Sequence, residues 1–212
     1  MPLPPAGTRA AISVFILSSH DLLRRTLSEL LGEEGFDIVG EEGTVAAAVP
    51  AAARTAPHVA LLSNRLTDGT GIEACRALRE AAPRTRCIIL TTYDEQKALR
   101  SAALAGAAGY LLQSPRAPRL IDAIRRVAAG EQLHAPEAAR AVLQSPSTCA
   151  LLKGATEHER AVWSLIVQGR TNTEIRNQLA LTPEAFCACL SALLAKLGYR
   201  PAPHAVGPAN PS

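Results

Sequence analysis

The sequence predicts an α/β chain in which a (βα)5 doubly wound parallel sheet is followed by a small all-α unit. Two observations carry this reading. Up to residue 130, short apolar runs alternate with longer segments whose apolar residues recur at helical spacing. Beyond Gly154 the strand-like runs stop and only the helical period remains.

Strands are expected at residues 11–17, 36–41, 58–62, 86–91 and 109–112. Each is short and rich in Ile, Val and Leu, the pattern of a parallel strand covered on both faces. Helices are expected at 21–34, 45–54, 71–82, 94–105 and 118–129. The first places Leu22, Leu23, Leu27, Leu30 and Leu31 on one face, with Asp21 as its N-cap, and Pro50 should disturb the second. Right-handed crossovers then put the functional crevice at the C-terminal ends of the strands, so the residues just after each strand matter most.

This divides the chain into a flexible start (1–10), the sheet domain (11–130), a linker (131–153), a helical domain (154–200) and a disordered tail (201–212). The linker carries turn formers around a short helix at 137–143. The helical domain reads as helices at 157–167, 172–179 and 183–197, the last with Thr182 as N-cap and Pro183 at its first position.

Composition narrows the function classes. A hydrophobic fraction of 48% over 212 residues supplies two packed cores, and a net charge of +3 permits an acidic partner without requiring one. Five cysteines, odd in number and without a CxxC pair, suggest neither a disulfide framework nor a zinc ribbon. The prolines of MPLPPAGTRA and the brevity of the apolar run at 11–17 argue against an export signal or a membrane span, so a cytoplasmic protein is expected. No Walker loop or dinucleotide fingerprint is present, and the turn at 106–109 does not supply one. The chain is not expected to be an enzyme or to carry a cofactor or metal.

Three stretches resemble one family. VALLSNRLTDGTGIEACRALR is similar to the third strand and following helix of a response-regulator receiver, and CIILTTYDEQKAL with AGAAGYLLQ to its fourth and fifth strands. TEHERAVWSLIVQGRTNTEI and LLAKLG resemble the helix-turn-helix of NarL/FixJ and LuxR proteins. The resemblance spans residues 11–198, with the motifs in the family's order.

It implies a phosphorylation pocket, and this pocket is degenerate. The acidic pair after the first strand is Ser18 and Ser19, the phosphoacceptor position is Ser63, and the lysine position is Gln113. Thr91 and Tyr110 keep the switch hydroxyl and aromatic positions, with strand-end packing as their default role. Receiver chemistry needs a nucleophilic carboxylate, further carboxylates to hold Mg²⁺, and a lysine to balance phosphoryl charge. Serine cannot form an acyl phosphate, so aspartyl phosphorylation should be absent. Asp68 and Asp94 read as turn and cap residues rather than substitutes. The neutral pocket is either locked by direct hydrogen bonds or open to a small-molecule ligand.

The resemblance makes 183–197 the recognition helix of the major groove and implies DNA contacts from Arg170, Thr171, Asn172, Thr173, Thr182, Glu184, Ala185, Cys187, Ala188, Ser191 and Lys196. Leu165, Ile166, Ile175, Leu179, Leu190, Leu193, Leu194 and Leu197 supply its core, with Trp163 packing beside them. Where the family commonly reads T-V-K-x-x-V-S-R, this helix carries Ala185, Phe186, Cys187, Ala188, Cys189, Leu190, Ser191 and Ala192, so its basic groups are gone. Cys187 and Cys189 lie two residues apart on a helix and read as small fillers rather than a redox or metal pair. The expected function is a phosphorylation-independent transcription factor that binds promoter DNA as a dimer. The alternative is an interaction partner that heterodimerises with a DNA-competent response regulator.

Overall fold

The computed structural model describes residues 11–112 and 117–202. A parallel sheet of five strands, β1 (Ser13–Leu17), β2 (Asp37–Glu42), β3 (Val59–Ser63), β4 (Arg86–Thr91) and β5 (Gly109–Leu112), is ordered β2-β1-β3-β4-β5. The helices α1 (Asp21–Glu33), α2 (Val45–Thr55), α3 (Gly71–Ala81), α4 (Glu95–Ala105) and α5 (Ala117–Ala128) alternate with the strands. This is the doubly wound fold that the alternating runs predict.

Alternate strand residues enter two cores. Val14, Ile16, Val59, Leu61, Ile88 and Leu90 pack with Leu27, Leu31, Ile121 and Ile124 of α1 and α5. Phe15, Leu17, Ala60, Leu62 and Ile89 face α2, α3 and α4. That second cluster runs on without a break into Leu165, Phe186, Leu190 and Leu193 of the C-terminal helices. A period of two and burial on both faces are why these strands look uniformly apolar.

Several local expectations are corrected. Asp21 is not the N-cap of α1: His20 holds that place without a side-chain bond, and Asp21 pairs with Arg24 at 2.5 Å. Leu22 is 79% exposed rather than part of the apolar face. Pro50 lies inside α2 without ending it. In the segment read as a linker the expected short helix is present as α6 (Pro136–Leu143), and an unexpected one, α7 (Pro146–Leu151), capped by Ser145, follows it. SPS there starts a helix instead of making a turn, because proline suits a first helical position.

The C-terminal helices are α8 (Glu157–Val167), α9 (Asn172–Leu179) and α10 (Pro183–Lys196), with α9 and α10 bent by 109° at the turn between them. Thr156 and Thr171 form capping boxes with Glu159 and Glu174, and Thr182 caps α10. No single helix among the described residues is long and apolar enough to cross a membrane.

Glu159 also pairs with Lys196 across this helical unit. The Lys196 ammonium, with the Thr156 N–H, holds the Glu159 carboxyl below the usual carboxylate range. A depressed folded-state pKa contributes stability that is complete above the ordinary value and is lost as pH falls through the depressed one. Glu159→Gln should therefore lower the thermal midpoint near about pH 7 and converge with the parent near about pH 3, as read by circular dichroism.

Candidate functional site

The first site is the crevice at the C-terminal edge of the sheet. β3 ends in Ser63, and α3 is held directly against that end: the Gly71 N–H donates to Asn64 O at 3.0 Å. A Cβ at Gly71 would lie 2.6 Å from Ser63 O, so only glycine allows this approach. The loop between them is thereby fixed.

A cavity of about 320 Å³ opens here, lined by His20, Ser63, Asn64, Arg65, Leu90, Thr91, Thr92, Tyr93 and Ala202. Of the residues that the sequence singled out, Ser63 and Thr91 line it. Ser18 is buried at the end of β1 with its hydroxyl accepting from the His20 N–H at 3.3 Å, and Ser19 is half-buried beside it. Tyr110 is half-buried on β5, with Glu95 and burial raising its phenol pKa, burial first. Gln113 lies outside the described residues.

Thr91 Oγ1 accepts from the Tyr93 N–H at 3.1 Å. Ser63 Oγ and both amide atoms of Asn64 are buried and, among the described residues, have no hydrogen-bond partner. The lock of direct hydrogen bonds is not formed at Ser63. Asp68 and Asp94 are caps: Asp68 accepts from the N–H groups of Val45 and Ala46 at 2.9 and 3.0 Å, and Asp94 from Lys97 N–H at 2.9 Å. His20, Asn64, Arg65 and Tyr93 were not singled out in the sequence. Their position one to three residues past a strand end was the available signal.

The second site is the helix-turn-helix surface, and much of it is turned inward. Arg76 on α3, only 3% exposed, donates to Asn172 Oδ1 at 2.7 Å, Arg170 O at 2.9 Å and Leu104 O at 3.0 Å. All three acceptors are uncharged, and burial, then Arg79, pushes its pKa down to about 10. Glu80 Oε1 accepts from the Thr173 N–H at 2.5 Å, at the N-terminus of α9. A helix start of this kind suits a DNA phosphate, and a carboxylate of the sheet domain occupies it. Ser191 of α10 donates to Glu73.

A strap completes the docking. Tyr199, 1% exposed, donates to Lys97 O at 2.8 Å and accepts from Arg100 Nε at 3.0 Å, and Ala202 N–H donates to Leu66 O at 2.7 Å. Burial pushes the Tyr199 phenol up to about 12.

Arg170, Asn172, Thr173 and Ser191 are thus all engaged with the sheet domain or its neighbours, while Thr171 and Thr182 cap helices. Lys196 is paired with Glu159. Glu184, Ala185, Cys187 and Ala188 are exposed on α10. Burial raises the thiol pKa of both Cys187 and Cys189, the opposite of what a reactive pair needs. Arg76, Glu73 and Glu80 were not foreseen, because on α3 they have the spacing of an ordinary charged helix face.

Comparison with known proteins agrees with this architecture. The model of the response regulator receiver domain matches residues 14–125. The DNA-binding transcriptional activator DevR/DosR of Mycobacterium tuberculosis is 38% identical over 192 residues, covering 88% of each chain. The signal receiver domain of the response regulator NarL from the same species is 28% identical, with a TM-score of 0.54 over 57% of this chain and 98% of that one. The RcsB response regulator of Salmonella typhimurium, at 20% identity, shares the fold over 91% of this chain and 94% of its own, with a TM-score of 0.53. With a receiver matched over more than half its length and relatives aligned across both halves, the chain belongs to the NarL/LuxR family of response regulators.

Proposed function

We propose that this response regulator is a phosphorylation-independent transcription factor, with a pseudo-receiver at 11–130 and a helix-turn-helix at 154–200, that binds promoter DNA as a dimer in the cytoplasm. The observation that carries the reading is that Ser18, Ser19 and Ser63 stand at the ends of β1 and β3 where a receiver has carboxylates, in a chain whose helix-turn-helix is fully packed. The transcriptional role of the relative DevR/DosR supports the DNA-binding half. No catalytic role is assigned.

The docked geometry supports an order of events. Arg170, Asn172, Thr173 and Ser191 are held by the pseudo-receiver, so the helical unit has to swing away before α9 and α10 enter a groove. Without an acyl phosphate to drive this, opening depends on dimer formation, on DNA itself or on a small-molecule ligand in the pocket. A ligand or partner acts only through its preference for one of the two states.

A gel-shift titration over promoter fragments tests the reading. Binding is expected at low salt, unchanged by phosphodonor, with a shallow salt dependence because few cations face outward. No binding at low salt, alone or with a related regulator, would overturn it.

One observation favours a second reading. α10 presents Cys187, Ala188 and Ala192 where phosphate and base contacts would be made, which suits a heterodimer in which a DNA-competent response regulator supplies most contacts. Co-purification from the native cell separates the two: recovery of only homodimers that bind a specific site would exclude the heterodimer.

A further inference from the structure

We propose that the groove between the sheet domain and the helix-turn-helix, on the edge of the sheet away from Ser63, binds a small monocarboxylate with an apolar body, and that its occupation holds the docked state. The effect on docking rests on the reading that the helical unit swings away before DNA is bound. The site itself does not depend on that reading.

The groove has a volume of about 340 Å³ and is walled by both halves of the chain: Arg79 of α3, Ala102 and Ala103 of α4, Arg140 and Leu143 of α6, and Ile166 of α8. It reaches Gly106 and Ala107, which precede β5, so it lies at the N-terminal edge of the parallel strands. The degenerate phosphorylation crevice is at the other edge.

The two arginines meet no counter-charge. No carboxylate is among the described residues that line the groove, and neither Arg79 nor Arg140 makes an ion pair among the described residues. Arg79 is half-buried and folds over Gly106, whose φ of 66° and missing side chain leave room for the guanidinium. Its bond to Ala105 O is long, at 3.5 Å. Arg76, three residues earlier on α3, is buried against neutral acceptors and adds a second uncompensated charge. The carboxylates of α3 are engaged elsewhere, Glu73 with Ser191 and Glu80 with the Thr173 N–H, and Glu137 of α6 is exposed without pairing with Arg140. Burial lowers the pKa of His134 in the same lining, so the positive charge at neutral pH is that of the arginines. A partly buried cation without a partner is costly, and an anion in the groove offsets that cost.

The rest of the wall selects the kind of anion. Guanidinium forks match a carboxylate, whereas Ala102, Ala103, Leu143 and Ile166 offer only apolar surface. A ligand charged at one end and apolar along its body satisfies both, and the volume suits one of about eight carbons. Ile166 belongs to α8, so opening of the helical unit removes one wall. The ligand therefore prefers the docked state and lowers the affinity for DNA.

The test titrates octanoate against the full chain by calorimetry and thermal melting at fixed ionic strength. The comparisons are 1-octanol, which keeps the tail without the charge, and inorganic phosphate, which keeps the charge without the tail. Octanoate is expected to bind at one per chain with a dissociation constant below about 1 mM, and both comparisons at least about tenfold more weakly. Arg79→Ala with Arg140→Ala should weaken octanoate about tenfold or more, and the chain should still fold because a like charge is removed from beside Arg76. Ala103→Leu, half-buried on the α4 wall, should abolish binding by filling the groove. In the gel-shift titration, octanoate at about ten times its dissociation constant should lower the affinity for DNA about tenfold in the parent, and not in Ala103→Leu. The absence of saturable octanoate binding, octanol binding as tight as octanoate, or full affinity in the double arginine variant would overturn the site. Phosphate binding as tight as octanoate would overturn the monocarboxylate assignment. Saturable octanoate binding with an unchanged gel shift would overturn the hold on the docked state. A chain that binds no DNA without octanoate would instead overturn the transcription-factor reading, and the calorimetry would still decide the site.

Discussion

Replacing Arg76 with alanine is expected to release the helix-turn-helix from the pseudo-receiver. The side chain makes three charge-assisted bonds at once, to Asn172, Arg170 and Leu104, and joins α3, the turn before α9 and the end of α4. Removing one member of such a buried set costs about 3 kcal/mol, which shifts the closed-to-open ratio by roughly a hundredfold. The pseudo-receiver keeps its own two-layer core, so the variant should fold. Small-angle scattering should show a larger radius of gyration, and limited proteolysis a new cut between residues 130 and 156. Affinity for DNA should rise about tenfold or more, because Thr173 and Asn172 are freed for phosphates. A compact variant with unchanged DNA affinity would mean that the strap through Tyr199 and the shared apolar cluster hold the closed state without Arg76.

The second large effect is expected on α10. Cys187 and Ala192 stand where the family pattern carries lysine and arginine, and both are exposed on the helix. The double substitution Cys187→Lys with Ala192→Arg should restore two phosphate contacts. Each adds about 0.9 to the slope of log affinity against log salt, so the slope should steepen by about 2 and affinity at low salt should rise by roughly one to two orders of magnitude. Fluorescence anisotropy over a salt series reads both quantities. If the slope does not change, α10 does not lie against the phosphate backbone, and the heterodimer reading gains.

These two variants touch parts of the molecule that differ in how legible they were. The succession of strands and helices and the caps Thr182 and Asp94 follow from local signals, period and turn chemistry, that any segment carries by itself. The pocket was half legible: Ser63 and Thr91 follow from the family resemblance, whereas the unpaired Asn64 side chain depends on the packing of α3 against β3 at Gly71. The docking was not legible. Arg76, Glu80 and Glu73 meet partners 93 to 118 residues away, apart from the Arg76 bond to Leu104. No periodicity encodes such pairs, and on α3 the three residues resemble a solvated face.

Local rules also failed where neighbours outweighed them. Leu22 was placed on the apolar face of α1 yet is exposed, because the core meets that helix through Leu23, Leu27, Leu30 and Leu31. Ser145-Pro146-Ser147 has turn chemistry but starts α7, whose Thr148 is buried and accepts from Arg100 Nη1 at 3.3 Å. That bond makes the segment after α6 part of the docked assembly rather than a passive tether.

Phosphorylation independence is tested most directly by intact-protein mass spectrometry after incubation with acetyl phosphate and Mg²⁺, paired with DNA binding before and after. An unmodified mass and an unchanged binding curve are expected, because Ser18, Ser19 and Ser63 provide neither acceptor carboxylate nor metal site. A stoichiometric phosphoryl adduct that is labile to hydroxylamine and that alters DNA affinity would contradict it.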